Sequence, residues 1–567
     1  MKAAQPSFDS GATKRQWFAL LMMALPATLW GDALQEHLDP MEIQEVKARL
    51  KAFYQNPEDP NGINAIPKKY DPVAKQFVIR NTQLKLKPGQ QVPKGQAQAL
   101  LQQAQVKALD KFQEHQCKTF LDKKFPKLGC KNPEGKASAE ANDSITDLTA
   151  TWIPDDKVIY DLDKVKVSGR SKLKLWSDDY WMIKYGITSY RYSERKNFSK
   201  YKEAVSDYAQ PKEWNALPTS PASRLTKAVA EWSPAEKYDI TVGDTEFKLT
   251  NQQKEEGASL LNEDDDVEEW MGICHGWAPA AFMVPRPEKT VTVKGADGVS
   301  VTWYPHDIRS MASLAWANGE TTTNFVGGRC NVKKVSLLKN GRIAQQECFD
   351  NNPSTFHLAL ANLIGEKNVS FVMDKTFDYE VWNQPVQGYE FVYFNPLNPE
   401  ETSKDWKEVA VDYDAKFKKQ DRFQKPLTRG KRNGSHYDDK GIKKVVGVIA
   451  SVSYLVEVAP KTGAANENAV QRVTYTYDLE LHAEDDHYVA LGGEWHTNDH
   501  PDFLWVPAKS EVASTSYDKA RVTYSGAKPS EKLTSTAQEA SRSEGYPLCK
   551  VLSYLVKESS GEEYACE

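Results

Sequence analysis

Long apolar segments and an excess of either charge are both missing from this chain. Lysine and arginine number 73 against 78 aspartates and glutamates, which leaves a net charge of −5. This balance gives no reason to expect nucleic acid or an anionic membrane as a partner. No segment beyond residue 33 approaches the length of a transmembrane helix, so we expect no membrane span. Internal repeats and low-complexity tracts are absent as well.

The first 33 residues have the features of a secretory signal peptide. Lys14 and Arg15 precede the apolar stretch "QWFALLMMALPATLW", which is too short to span a bilayer. The small residues Gly31 and Ala33 offer a cleavage point after Ala33. The alternative is a buried N-terminal helix. We expect signal cleavage and therefore a secreted, extracellular protein.

Cysteine is scarce, and export makes its spacing informative. Six of the seven cysteines form close sequence pairs, for which local disulfides are the economical pairing, although six cysteines permit fifteen connectivities. The pairs are Cys117 and Cys130, Cys330 and Cys348, and Cys549 and Cys566. Cys274 is left over. An odd thiol in an oxidising compartment is either buried and inert or kept free for chemistry.

The order of helical and strand patterns predicts an α+β protein in three parts after the signal. Residues 34–145 read as a helical N-terminal region and a possible pro-segment. Residues 146–510 form a mixed core, whose later segments are β-branched and aromatic: "VTVKGADGVSVTWY", "GYEFVYF", "KKVVGVIASVSYLVEV" and "RVTYTYDLELHA". Residues 511–567 form a polar tail closed by a disulfide, which we expect to be a small separate module.

Cys274 lies in the stretch "EEWMGICHGWAPAA", which can place it at the start of a helix over 274–284. The free N–H groups of a helix N-terminus favour a thiolate, as a cysteine nucleophile requires. Gly276 and Pro279 are tolerated there only in the first turns. The alternative is that Cys274 is a small apolar residue that fills space in the core.

The stretch "FHLALANLIGEKNVSFVMD" (356–374), downstream of Cys274, offers a base and an orienting group. As a hairpin, this stretch places His357 and Asp374 at the same end of neighbouring strands, 17 residues apart. The spacing resembles that of histidine and asparagine in papain-like enzymes, and the order Cys, His, Asp matches papain-like and transglutaminase cores. The hairpin therefore predicts a triad of Cys274, His357 and Asp374. The alternative is a helix that holds His357 in the core.

Two segments, one acidic and one rich in histidine, are candidate metal sites. The segment "NEDDDVEE" (262–269) has clustered carboxylates that can bind Ca²⁺, but it lacks EF-hand spacing, and a solvated acidic loop also explains it. His496, Asp499 and His500 can share a metal, but a polar hairpin explains their segment without one. The metal ligands stay unknown.

The stretch "EVWNQPVQGYEFVYF" (380–394) resembles the elicitor peptide of the oomycete transglutaminase elicitor family, secreted enzymes with relatives in marine bacteria. Its core "VWNQPV" is intact at Val381–Val386. "WMGICHGWAPAA" is similar to the nucleophile segment of that family, and "LWSDDYWMIKYG" and "GGEWHTNDHPDFLWVP" resemble further blocks. The resemblance covers roughly 175–510.

The resemblance implies a Ca²⁺-dependent protein–glutamine γ-glutamyltransferase with a papain-like cysteine core and Cys274 as its nucleophile. Its partners would be proteins that carry glutamine and lysine, and we expect a monomer. The elicitor segment begins six residues after Asp374, which predicts a substrate-binding role for Trp382, Asn383, Gln384 and Pro385, together with Trp270. A papain-like secreted protease and a non-catalytic secreted interaction protein are the alternatives.

Overall fold

The structure is a computed structural model. It describes residue 47 and residues 144–207, 227–262, 264–296, 298–319, 321–328, 351–375, 381–421, 441–464, 468–484, 486–496, 500–513 and 549–565. The expected signal peptide, nearly all of the helical N-terminal region and most of the polar tail lie outside these residues. Five of the six paired cysteines do as well, namely Cys117, Cys130, Cys330, Cys348 and Cys566. Those expectations stay predictions.

Helices and strands alternate irregularly through the described residues. The α-helices are α1 (Ile145–Thr149), α2 (Tyr201–Ser206), α3 (Lys227–Ala230), α4 (Pro234–Thr241), α5 (Lys248–Glu255), α6 (Cys274–Met283), α7 (Pro305–Asn318), α8 (Pro353–Ala359), α9 (Ala415–Gln420) and α10 (Cys549–Ser560), with a π-helix at Leu360–Lys367. Short 3₁₀ turns span Asp155–Lys157, Leu162–Lys164, Ile183–Tyr185, Ile187–Ser189, Tyr192–Glu194, Glu256–Leu260 and Trp406–Glu408. The strands are β1 (Ser168–Arg170), β2 (Val291–Lys294), β3 (Ser300–Trp303), β4 (Thr323–Gly327), β5 (Val372–Asp374), β6 (Asn383–Asn395), β7 (Asn398–Ser403), β8 (Val411–Asp412), β9 (Ile442–Val456), β10 (Ala469–Glu484), β11 (His487–Trp495) and β12 (Phe503–Pro507). The α+β class is confirmed.

One antiparallel sheet organises the core. Its order is β11-β10-β9-β6-β5-β12-β4, with β1 and β7 also paired to β6 and β8 to β9, while β2 and β3 form a separate hairpin. β6 and β9 are buried along most of their length, because helices and loops cover both faces and β-branched and aromatic side chains fit a pleated surface. The four segments predicted to form strands do so, in β2 and β3, β6, β9 and β10.

Two helices, α6 and α7, pack unusually closely. A Cβ atom on Gly276 would lie 2.1 Å from the carbonyl oxygen of Ser313 and 2.6 Å from the Cβ of Ala317. Only glycine therefore permits this approach of the helix backbones. α6 also packs against β6. The first turn of α6 is thus held between a helix and the sheet.

Residues 353–367 are helical, and the predicted hairpin over 356–374 is wrong. Asn352 caps α8 by accepting the backbone N–H of Ser354 at 2.9 Å, and Pro353 occupies the first helical position. Both are helix-start signals that outweigh the ambiguity of a short apolar run. The alternative interpretation, a helix that holds His357 in the core, is confirmed. Only Val372–Asp374 of this stretch forms a strand.

The last helix belongs to the main core. Val551, Leu552, Leu555 and Val556 of α10 are buried in the same apolar cluster as the sheet. The backbone N–H of Lys289 also donates to the carbonyl of Ser559 at 3.2 Å. The expected separate C-terminal module is therefore wrong for residues 549–560. Within the described parts of the chain, no helix combines the length and the apolarity that a bilayer crossing needs.

Candidate active site

Cys274 is the first residue of α6, as the sequence predicted. The chain enters the helix beside Tyr180, whose carbonyl oxygen accepts the N–H of Ile273 at 2.7 Å and would lie 2.4 Å from a Cβ on Gly272. Ile273, the N-cap residue, provides no side-chain cap. The Cys274 thiol is free and only 3% exposed. Cys549, by contrast, is disulfide-bonded; its predicted partner Cys566 lies outside the described residues.

Asn383, the first residue of β6, contacts the sulfur. Its side-chain Nδ2 donates to the Cys274 Sγ at 3.6 Å, and its backbone N–H bonds to the thiol as well. The amide oxygen of Asn383 accepts the indole N–H of Trp505 at 2.8 Å. Because an indole can only donate, this bond requires the NH₂ group of the amide to face the sulfur.

Asp374 reaches the same site from the neighbouring strand. It is paired directly with Asn383 across β5 and β6, and directly opposed residues of antiparallel strands point their side chains to the same face. The Asp374 carboxylate is buried and accepts the backbone N–H of Trp382 at 2.7 Å. The structure therefore brings Cys274, Asp374 and Asn383 together.

A carboxylate that the sequence did not single out lies at the end of β9. Glu457 accepts the side-chain N–H of Gln384 at 2.9 Å. Burial raises the pKa of Glu457 to about 7. The hydrogen bonds that the carboxylate accepts and the nearby ammonium of Lys375 lower this pKa, but burial has the larger effect. That ammonium lies over the rings of Trp382 and Tyr454, 5.8 Å and 5.6 Å from their centres.

The thiol is uncharged in this environment. Burial raises the pKa of Cys274 to about 12; the hydrogen bonds from Asn383 oppose this shift, and the charges of Glu457 and Asp374 add to it. Desolvation outweighs the donors because a buried thiolate loses its hydration.

His357 lies elsewhere, so the predicted catalytic histidine is wrong. Its Nδ1 is 2.9 Å from the hydroxyl of Tyr477, and its Nε2 is 3.4 Å from the hydroxyl of Tyr393. Its ring stacks on Phe391 with 3.9 Å between ring centres. Phe391 and Asn383 are eight residues apart on β6, which is roughly 25 Å of strand at about 3.3 Å per residue. Burial lowers the pKa of His357 to about 3, and the residue acts as a core histidine.

The remaining predicted site residues have structural contacts of their own. The buried indole of Trp270 donates to the carboxylate of Glu268, and Pro385 is paired with Val372 in the sheet. Trp382, half-buried, lies one residue from Asn383 beside Asp374.

A sequence comparison assigns the chain to a family. The family model described as "Transglutaminase elicitor" matches residues 153–419 and 434–532, which together make up most of the chain and include every residue of the site. The chain belongs to the transglutaminase elicitor family. No curated protein matches it. The crystal structure of the GP42 transglutaminase from Phytophthora sojae is similar to it, with 20% sequence identity and a TM-score of 0.44, over 74% of this chain and 97% of that one.

Among the described residues, no three histidine, cysteine or acidic side chains cluster as a metal ligand set, and the calcium that the family resemblance implies stays a prediction. In the acidic segment, Lys184 pairs with Asp266 at 2.9 Å. The side-chain oxygen of Asn262 accepts the N–H groups of Asp264 and Asp266. His496 bonds to Asp478 at 2.9 Å and His500 stacks on Trp495; Asp499 lies outside the described residues.

Two residues of the candidate site, Trp505 and Glu457, were not identified from the sequence. Trp505 is in the family block "GGEWHTNDHPDFLWVP", and its indole was a signal that a buried hydrogen-bond acceptor is required nearby. Glu457 interrupts the apolar end of "KKVVGVIASVSYLVEV", where a charge needs a reason. The sequence shows neither residue's contacts, because these depend on strand register.

Proposed function

We propose that the protein is a secreted protein–glutamine γ-glutamyltransferase that links glutamine to lysine amines. The observation that supports it most is the free, buried thiol of Cys274 at a helix N-terminus, bonded by Asn383 inside a segment matched by the transglutaminase elicitor family. Cys274 is the nucleophile, and Asp374 and Glu457 are the acidic groups whose charges act on it.

In the first half-reaction the sulfur of Cys274 attacks the γ-carboxamide carbon of a protein glutamine. The carbon–nitrogen bond breaks, the nitrogen leaves as ammonia with the proton that the thiol has lost, and a thioester remains. We assign the backbone N–H of Cys274, in the first turn of α6, as a donor to the oxyanion, because the first N–H groups of a helix have no partner within the helix. Glu457, with a pKa of about 7, can hold or release a proton near neutral pH, which is the requirement for a general acid–base group.

In the second half-reaction a lysine amine attacks the thioester. The carbon–sulfur bond breaks, an isopeptide bond forms, and the amine proton returns to the thiol. Transfer in place of hydrolysis requires that water be kept from the thioester. The near-complete burial of Cys274, with Asn383 bonded to its sulfur, supports this requirement.

The test is incorporation of cadaverine into casein by the purified protein, with ammonia release measured in parallel. We expect both signals from the wild type and neither from Cys274→Ala, and a thermal melt establishes that the variant is folded. Each assay is run with and without added calcium, since the family resemblance implies calcium dependence. Casein cleavage without amine incorporation would replace this proposal with a protease, and absence of both would leave a non-catalytic interaction protein.

A further inference from the structure

The position beside the nucleophile sulfur, where a cysteine enzyme commonly holds a base, is occupied by an asparagine. Asn383 directs both its Nδ2 and its backbone N–H at the Sγ of Cys274. An amide does not take up a proton at neutral pH, so Asn383 cannot act as a base. Toward the sulfur it can only donate hydrogen bonds, because its oxygen accepts the Trp505 indole. The value of a donor at this place lies in stabilising negative charge.

We propose that Asn383 is a catalytic residue that donates its side-chain N–H to the oxyanion formed during acyl transfer, and that Trp505 is the positioning residue that aims it. The inference rests on the proposed acyl-transfer function. It assigns Asn383 to the reacting centre, whereas the sequence predicted only a substrate-binding role. It also supplies a second donor beside the backbone N–H of Cys274.

The amide lies within reach of the oxyanion. In the tetrahedral intermediate the negatively charged oxygen is two bonds from the sulfur, and an effective donor approaches that oxygen to about 3 Å. The Nδ2 of Asn383 is already 3.6 Å from the sulfur. As the sulfur forms its bond to carbon, the side-chain N–H of Asn383 can change its hydrogen-bond acceptor from the sulfur to the oxyanion without a large displacement.

The amide is preorganised, which is the condition under which a donor lowers a barrier. Asn383 is fully buried, and its backbone is paired with Asp374 in the sheet. Its Oδ1 accepts the indole N–H of Trp505 at 2.8 Å, and Trp505 is itself paired with Val372 of β5. Because β5 pairs with both strands, the donor and the group that orients it are held by one three-stranded unit.

The experiment measures turnover in Asn383→Ala, Asn383→Asp and Trp505→Phe. Asn383→Asp keeps an acceptor for the indole but has no N–H to donate, so it separates donation from packing. We expect both Asn383 variants to lose about 10²–10³-fold in kcat with little change in KM for the glutamine donor, as for an oxyanion donor. Trp505→Phe should lose less, because it frees the amide without removing it. Asn362→Ala is the matched control, since Asn362 is a buried asparagine whose amide bonds the carbonyls of Ile159 and Leu358.

A second readout needs no substrate. Removal of the side-chain donor, which leaves the backbone N–H of residue 383 in place, raises the pKa of Cys274 further. Iodoacetamide should therefore alkylate Cys274 in folded Asn383→Ala more slowly than in the wild type at any pH below the thiol pKa. Unchanged kcat in the folded Asn383 variants of an active wild type would overturn this inference alone. An inactive wild type would overturn the acyl-transfer function and this role with it. A loss of kcat equal to that of Asn362→Ala would show that the effect is structural, and would also overturn the inference.

Discussion

Asp374 and Asn383 are opposite each other on β5 and β6, so one rung of the sheet delivers a carboxylate and an amide to the same thiol. The pairing gives the two groups opposing effects. The Asn383 N–H groups favour the thiolate of Cys274, while the Asp374 charge and burial disfavour it. The state of the nucleophile is therefore set by the register of two strands.

Native Cys274 is expected to react slowly at neutral pH. Burial raises the pKa of this thiol to about 12, and only the thiolate is alkylated. The rate of iodoacetamide labelling should rise with pH beyond the range in which an ordinary cysteine, with a pKa of about 8.5, has levelled off. Mass spectrometry of the Cys274 peptide measures this. In urea the same peptide should show the ordinary profile, and identical profiles with and without urea would contradict the raised pKa.

Asp374→Asn should make Cys274 more reactive. The substitution removes a negative charge near the sulfur but keeps an oxygen to accept the N–H of Trp382, so the thiol pKa falls. We expect the labelling profile of Cys274 to move to lower pH. Asp163→Asn is a control, because Asp163 bonds to Lys407 and Trp406 away from Cys274. A shift to higher pH in Asp374→Asn would mean that the carboxylate assists the thiolate.

How much of the site could be predicted differs from residue to residue. Cys274 and its helix were predictable because the odd cysteine follows from counting, and the glycine and small residues around it are local signals. Trp382 and Asn383 could be placed near the site through a resemblance. The place of His357 could not be predicted from its apolar run, because a short run of this kind suits a strand and a helix equally; the signals for a helix, Asn352 and Pro353, precede the run. Glu457 and Trp505 are 183 and 231 residues beyond Cys274, and only strand pairing brings them back.

Glu457 should make the stability of the protein depend on pH. Its folded pKa of about 7 exceeds the value of about 4.3 in an unfolded chain. The folded state therefore binds more protons between these values, and the free energy of unfolding falls as pH rises from about 4.3 to about 7. Glu457→Gln removes this dependence and leaves an acceptor for Gln384. Urea unfolding at pH 5 and pH 8 measures the free energy of unfolding of the variant minus that of the wild type. This difference should favour the variant more at pH 8 than at pH 5, and an equal difference at both pH values would contradict the raised pKa.

His357→Ala should lower the free energy of unfolding without changing the rate of acyl transfer. The substitution opens a cavity against Phe391 and removes the partner of the buried hydroxyls of Tyr477 and Tyr393. A cost of about 2–4 kcal/mol in the free energy of unfolding is expected. Per folded molecule, cadaverine incorporation should be unchanged. A variant with wild-type stability and no turnover would restore His357 as a catalytic residue.

Gly276→Ala tests whether the packing of α6 against α7 positions the nucleophile. The added methyl group would meet the carbonyl of Ser313 at 2.1 Å and the Cβ of Ala317 at 2.6 Å, so the helices must separate. Overpacking of this kind costs about 1–3 kcal/mol. Since Cys274 is two residues away in the same first turn, its sulfur should move relative to Asn383, and we expect both slower cadaverine incorporation and an altered labelling profile. Ala317→Gly in the same chain removes the contact with the Cβ of Ala317 but leaves the carbonyl of Ser313 in place, so the double variant should recover only part of both signals. Without recovery, the loss in Gly276→Ala would come from some contact other than the one with Ala317.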